Sequence, residues 1–109
     1  MSRLASGLWV QAYLMRLSLE GIMSHVVAKG DATAGSVWVK LATMDGQAAL
    51  WERQYDLMAD RRDWRETMAG DESEIDARIT RERARDRDLW VIEVEDARGR
   101  HLLDDPSLA

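Results

Sequence analysis

The chain has 109 residues, 46% hydrophobic and 32% charged, a balance that suits one soluble globular domain and excludes a disordered segment. It has no cysteine, which excludes disulfide frameworks and thiolate metal sites. Its net charge of −5, with 13 Arg and 2 Lys on the basic side, argues against a dedicated nucleic-acid binder, whose affinity comes mainly from neutralising phosphates.

In chain order, Ser6 is the expected N-cap and Gly21 the expected stop of a first helix of about three to four turns. Val10, Leu14 and Leu17 line one side with Tyr13 beside them, while Leu8 and Met15 fall on the far side. Apolar residues on two flanks imply deep burial or contact with another chain, so self-association through this helix is expected. The same stretch is too short and too polar to span a bilayer and lacks a signal-peptide cleavage site. A cytoplasmic protein without a membrane segment follows as the expectation.

Ile22 to Lys29 reads as a first strand, and "GDATAG" as a loop with glycine at both ends. The next two runs, "GSVWVKLATM" and "QAALWERQYD", alternate about Asp45-Gly46, a strong hairpin signal because both turn positions need positive φ. Taken as a two-residue turn, it pairs Met44 with Gln47, Lys40 with Trp51, and Trp38 with Arg53. One face then carries Val37, Val39, Leu41 and Leu50, an ordinary core. The other carries Trp38, Lys40, Trp51, Arg53 and Tyr55, with a cation over an aromatic ring on two rungs, each worth about 0.5–1 kcal/mol if exposed. This second face is the candidate binding surface, since aromatic and guanidinium planes accept bases and peptides alike. The acidic net charge favours a protein partner over nucleic acid.

Leu57 to Met68 fits both periods; Trp64, Glu66 and Met68 alternate as in a strand, which is the preferred reading. Ser73 is expected to open a second helix, "SEIDARITRERARDRD", with acids early, arginines late and a thin stripe of Ile75 and Ile79. "LWVIEVED" reads as a strand with Trp90, Ile92 and Val94 on one face and Val91, Glu93 and Glu95 on the other. "ARGR" turns the chain toward a short "HLL" strand, and Asp104 to Ala109 is read as a tail. Strands that cluster rather than alternate with helices predict one α+β domain over residues 1–109, with a largely antiparallel sheet of about five strands and two helices. The expected core comprises Val10, Leu14, Leu17, Val37, Val39, Leu41, Leu50, Trp90, Ile92 and Val94.

The segments "LWVQAYLMRLSLEGI", "KGDATAGSVWVKL", "RQYD" and "DLWVIEVEDARGRHLLD" resemble a family of small alphaproteobacterial proteins of unknown function, DUF1491. The resemblance covers nearly the whole chain, and "DLWVIEVED" with the following "GRH" is its most specific part. It implies a bacterial, cytoplasmic, single-domain protein and transfers no activity, cofactor or catalytic residue.

Each chemical motif has a plainer counterpart. "KGDATAG" suggests a phosphate cradle of Lys29, Asp31 and Thr33, but such cradles run into a helix N-terminus and this loop runs into a strand. His25 and His101 could join Asp31 or Asp104 at a metal, yet no His-x-His or His-Glu-x-x-His spacing brings three ligands together, and His25 reads as a partly buried strand residue. Glu93 and Glu95, about 7 Å apart on one strand face, could hold Mg²⁺ with Asp96, but the segment has no lysine beside them. Arg78, Arg81 and Arg85 share a helix side with Glu74 and Glu82, which neutralise them. No catalytic triad order, nucleophile elbow or dinucleotide fingerprint is found, and no cofactor is implied. The expected function is therefore a non-catalytic binding or interaction module. The alternatives are a small metal-dependent phosphoesterase built on Glu93, Glu95, Asp31 and a histidine, or a nucleic-acid-binding domain.

Overall fold

The structure, a computed structural model, describes residues 4–108. Helix α1 (Ser6–Leu19) precedes strands β1 (Met23–Ala28), β2 (Val37–Ala42), β3 (Gln47–Asp56) and β4 (Arg61–Asp71); helix α2 (Glu72–Arg85), strand β5 (Trp90–Glu95) and a 3₁₀ turn (Pro106–Leu108) follow. The five strands form one sheet in the order β1-β5-β2-β3-β4. Three neighbouring pairs are antiparallel, and β2 with β5 is parallel. The expected α+β fold with a mostly antiparallel sheet is the one formed.

Helix α1 ends where Gly21 adopts φ +73. The N–H of Ile22 bonds to the Leu17 carbonyl and that of Gly21 to the Ser18 carbonyl, a Schellman closure in which Ile22 and Leu17 are both buried. The N-terminus departs from the expected cap. Ala5 is the N-cap residue, and the Ser6 hydroxyl donates to the Gly35 carbonyl at 2.6 Å. The first free N–H groups, of Ser6 and Gly7, bond to the carbonyls of Thr33 and Ala32. The "GDATAG" loop therefore serves the helix with carbonyls, the opposite polarity to an anion cradle. Its glycines have a local reason: a Cβ on Gly30 or Gly35 would lie 2.1 Å from the Asp88 carbonyl oxygen, around which the loop wraps.

The sheet is covered on both sides. Against α1 lie Val39, Leu41, Trp90, Ile92 and Val94, packed with Trp9, Val10, Tyr13 and Leu17; Leu14 and Val37 are partly buried at this core's margin. Against α2 lie Trp38, Ala48, Leu50 and Val91, closed by Ile75, Ile79 and Leu89. Glu72 rather than Ser73 begins α2, directly after β4, with Asp71 at the N-cap. Leu57 to Met68 resolves into the end of a long β3–β4 hairpin, a turn bonded by the Asp56 carboxylate to the N–H groups of Met58 and Ala59, and β4 itself.

Two expectations at the C-terminal end are corrected. "HLL" is not a strand: Leu102 takes φ +58, and His101 Nδ1 accepts the Leu103 N–H. Nor is the end of the chain a loose tail, because Leu103 and Leu108 are buried and the Trp9 indole N–H donates to the Leu108 carbonyl at 2.8 Å. Residue 109 lies outside the described residues. Arg100 clamps the preceding turn by donating from its backbone N–H and its guanidinium to the Asp96 carboxylate, holding that acid down to about 2. Among the described residues no helix is long and apolar enough to cross a membrane.

Candidate functional site

The hairpin face expected to bind does not form as one surface. The β2–β3 turn holds three residues rather than two: Thr43 pairs with Gln47, leaving Met44, Asp45 and Gly46 as the loop. The Asp45 carboxylate fixes that choice by accepting the Gln47 N–H and the Thr43 hydroxyl, while Met44 and Gly46 carry the positive φ values. The register becomes Trp38 with Glu52, Val39 with Trp51 and Lys40 with Leu50. A shift of one residue turns every β3 side chain to the opposite face. Trp38 and Lys40 accordingly face α2, and Trp51 and Arg53 face α1.

Neither half is open. Trp38 is 7% exposed and Lys40 only 4%. The Lys40 ammonium meets Asp76 at 2.7 Å, Glu72 at 2.8 Å and Glu93 at 3.2 Å. Burial pushes its pKa down, but hydrogen bonds to Asp76, Glu72 and Glu93 outweigh that and hold it above the ordinary lysine value. On the other face the Arg53 guanidinium packs against two indoles, 5.2 Å from Trp9 and 4.9 Å from Trp64, and Trp51 tilts against His101 at 4.4 Å. The cation–aromatic contacts expected within the hairpin are thus made between elements, and Trp38 takes Arg78 from α2 at 5.2 Å. Of the five predicted residues only Tyr55 is exposed, its hydroxyl donating to the Asp60 carboxylate.

The acidic pair has a neighbour that the sequence concealed. Lys40 stands opposite Glu93 across the parallel β2–β5 register, so a lysine does sit beside these acids. Glu93 and Glu95 line a shallow pocket of about 250 Å³ with Glu72, Ala42, Met44 and Gly46. The Lys40 ammonium occupies the centre of the carboxylates, where a cation would have to bind, and among the described residues no group of three His, Asp or Glu side chains is placed to hold a metal. Asp31 is engaged in its own loop, accepting the N–H groups of Thr33 and Ala34. His25 is exposed rather than partly buried and pairs with Glu93 on the α2 side, whereas His101 packs on Trp51 on the α1 side, so the sheet separates the two histidines.

The family model described as "Protein of unknown function (DUF1491)" matches residues 4–104. The chain belongs to the DUF1491 family. A crystal structure of a DUF1491 protein from Caulobacter crescentus is 36% identical, with a TM-score of 0.82 over 94% of this chain and 95% of that one. An NMR structure of a DUF1491 family protein from the same organism gives 35% identity and 0.82 over 97% of each chain. A solution structure of a protein from A. tumefaciens gives 32% identity and 0.73 over 86% of each. No curated protein matches the chain. The DUF1491 relatives are alphaproteobacterial, as the resemblance implied, and they carry the fold without a stated activity.

Among the surfaces of this DUF1491 protein, the two sheet edges differ most. Strand β4 presents Arg61, Arg62, Asp63, Arg65, Glu66 and Asp71, several of them in ion pairs along the edge and with Asp56 of β3. Strand β1, Met-Ser-His-Val-Val-Ala, has no Asp, Glu, Lys, Arg or Pro. Among the described residues its outer backbone has no strand neighbour, Met23 is 70% exposed and Val27 49%. On the outer side of α1, Leu8, Met15 and Leu19 are exposed and line an open apolar groove with Ser107 and Leu108. The two-flank pattern of the first helix pointed to this exposed apolar side of α1. Strand β1 carried a weaker signal, the lack of charge in "MSHVVA", which becomes meaningful only once β1 is known to be an edge.

Proposed function

We propose that this chain is a non-catalytic protein-interaction module of the bacterial cytoplasm, and that its contact margin is the β1 edge with the exposed side of α1. The observation that supports this reading is the difference between the edges. An uncharged strand with free backbone groups and exposed Met23, Val26 and Val27 is a template for another strand, and natural sheets normally guard such edges with charge, as β4 does. The exposed leucines and Met15 of α1 add a second apolar area on the outer side of the helix. The net charge of −5 favours protein over nucleic acid. The buried Trp38 and Lys40 offer a partner no surface, so the hairpin face is not part of the proposal.

The test is the double substitution Met23→Lys and Val27→Lys, which places guarding charges on exposed positions. Melting temperature should change by no more than a few degrees, while proteins captured from an extract of the native bacterium by the tagged chain should be lost. An unchanged captured set, with the fold intact, would overturn the reading.

A further inference from the structure

We infer that the occupant of the β1 edge is the β1 strand of a second copy of this chain, paired antiparallel about a two-fold axis normal to the sheet. The inference rests on the reading of that margin as a contact surface, and what singles out a second copy is the distribution of charge along the edge. The strand itself is uncharged, but its two ends are not. At its start stand Glu95, the cross-strand partner of Met23, and Glu20 at the end of α1, whose carboxylate also pairs with Arg16 at 3.0 Å. At its finish stand Lys29 and Arg83, whose guanidinium donates to the Lys29 carbonyl at 3.1 Å. An edge that is acidic at one end and basic at the other is self-complementary when turned end for end. Antiparallel pairing of two copies sets acidic end on basic end twice, and parallel pairing would set like on like.

The sheet geometry limits the register. A two-fold axis normal to the sheet keeps each face on its own side, so opposed residues must come from the same face. Ser24 and Val26 face α1, and Met23 and His25 face the α2 side. Two central registers satisfy this: Ser24 opposite Ser24 of the partner subunit, or His25 opposite His25 of the partner subunit. Either one carries Lys29 of the partner subunit past Met23 toward the α1–β1 turn that holds Glu20. The regular part of β1 ends at the irregularity between Val26 and Ala28, so the shared ladder is short. A short ladder buries less than a standard interface, and the expected dissociation constant is in the micromolar range, about 10–100 μM.

The natural chain has no cysteine, which makes single-cysteine cross-linking clean. Ser24→Cys and His25→Cys are prepared with Arg62→Cys on the opposite edge as control, and each is oxidised mildly at about 100 μM. One of the β1 variants should yield a disulfide-linked dimer, because directly opposed strand positions meet the Cα spacing a disulfide needs, and Arg62→Cys should not. Light scattering on the unmodified chain should show mass rising toward the dimer with concentration, and Met23→Lys with Val27→Lys should abolish the rise. A monomer mass at 100 μM with no cross-link from either β1 cysteine would overturn the dimer. If the lysine variant nevertheless loses its captured proteins, the contact margin stands with a different occupant; if it keeps them, both readings fall.

Discussion

On the α1 side of the sheet, Trp9 stacks on Tyr13 at 4.9 Å and leans on Trp64 at 5.3 Å, Arg53 packs against both indoles, and the chain end closes over them. On the α2 side the core is smaller, and its middle is a lysine bonded to carboxylates from α2 and β5. Both helices cover a central strand that is buried on each face, yet the first is held by ring contacts and the second in part by charge. The difference predicts opposite responses to pH and to truncation. Apolar and aromatic packing is indifferent to protons, whereas a buried ammonium depends on its partners staying ionised.

The largest expected effect lies on the aromatic side. Trp9→Ala removes two ring contacts, the cover on Arg53 and the hydrogen bond to the Leu108 carbonyl, and should cost about 3–5 kcal/mol. Set against the roughly 5–15 kcal/mol that stabilises a domain, that leaves the fold marginal. Chemical denaturation should show the loss unchanged between pH 6 and 8. A loss under 1 kcal/mol would mean that the 3₁₀ turn and Trp64 close the space without Trp9.

The second effect tests the charged side. Lys40→Met keeps the length of the side chain and removes the ammonium, leaving Glu72, Asp76 and Glu93 turned toward an apolar group. Stripping one partner from a fully buried pair costs about 3–5 kcal/mol. Glu72 and Asp76 are partly solvated, so about 2–3 kcal/mol is expected here. In the natural chain the Lys40 contribution is fully present below the ordinary lysine value of 10.5 and is lost only as pH rises through the higher folded value. The natural chain should therefore weaken in strong base, and Lys40→Met should not weaken further there. Adding Glu93→Gln to Lys40→Met should recover part of the loss, and a double variant no better than the single would assign the cost to packing alone.

The contrast between the faces also separates what the sequence disclosed from what it hid. Periodic segments were legible: Ile75 and Ile79 do face the sheet, β5 does place Trp90, Ile92 and Val94 together, and Gly21 does end α1. The register of the hairpin was not, because it turns on whether the Asp45 carboxylate closes a two- or three-residue loop, and both loops suit Asp-Gly. That one residue decided whether Lys40 met Trp51 or the space under α2. The carboxylates around Lys40 were hidden for a different reason. They come from β5 and α2, which local pattern cannot place beside β2, since the parallel pairing spans more than fifty residues of chain. The misreading of the C-terminal end has the same origin: a short polar segment looks loose until the indole that holds it is known.

The smallest predicted effect shows whether the aromatic side is as indifferent to protons as its rings suggest. His101 is the titratable group that packs on Trp51, and burial lowers its pKa below the ordinary 6.5, with Asp104 and Glu66 opposing the shift through their charge. A lowered value in the folded state means that the unfolded chain binds the proton more readily. The neutral ring therefore contributes stability that is present above pH 6.5 and is lost as pH falls through the folded value. His101→Asn is the informative replacement, because its amide oxygen can accept the Leu103 N–H two residues on, as the imidazole Nδ1 does now. At pH 7.5 it should cost about 0.5–1.5 kcal/mol for the lost contact with Trp51. At pH 5 the gap between the natural chain and the variant should narrow, since the natural chain alone gives up the His101 contribution. Melting scans of the two proteins at matched ionic strength measure this directly. Parallel curves across that range would show that the protonated imidazolium is accommodated over Trp51 as a cation on an aromatic face, and the proton-indifferent side of the sheet would then include His101 as well.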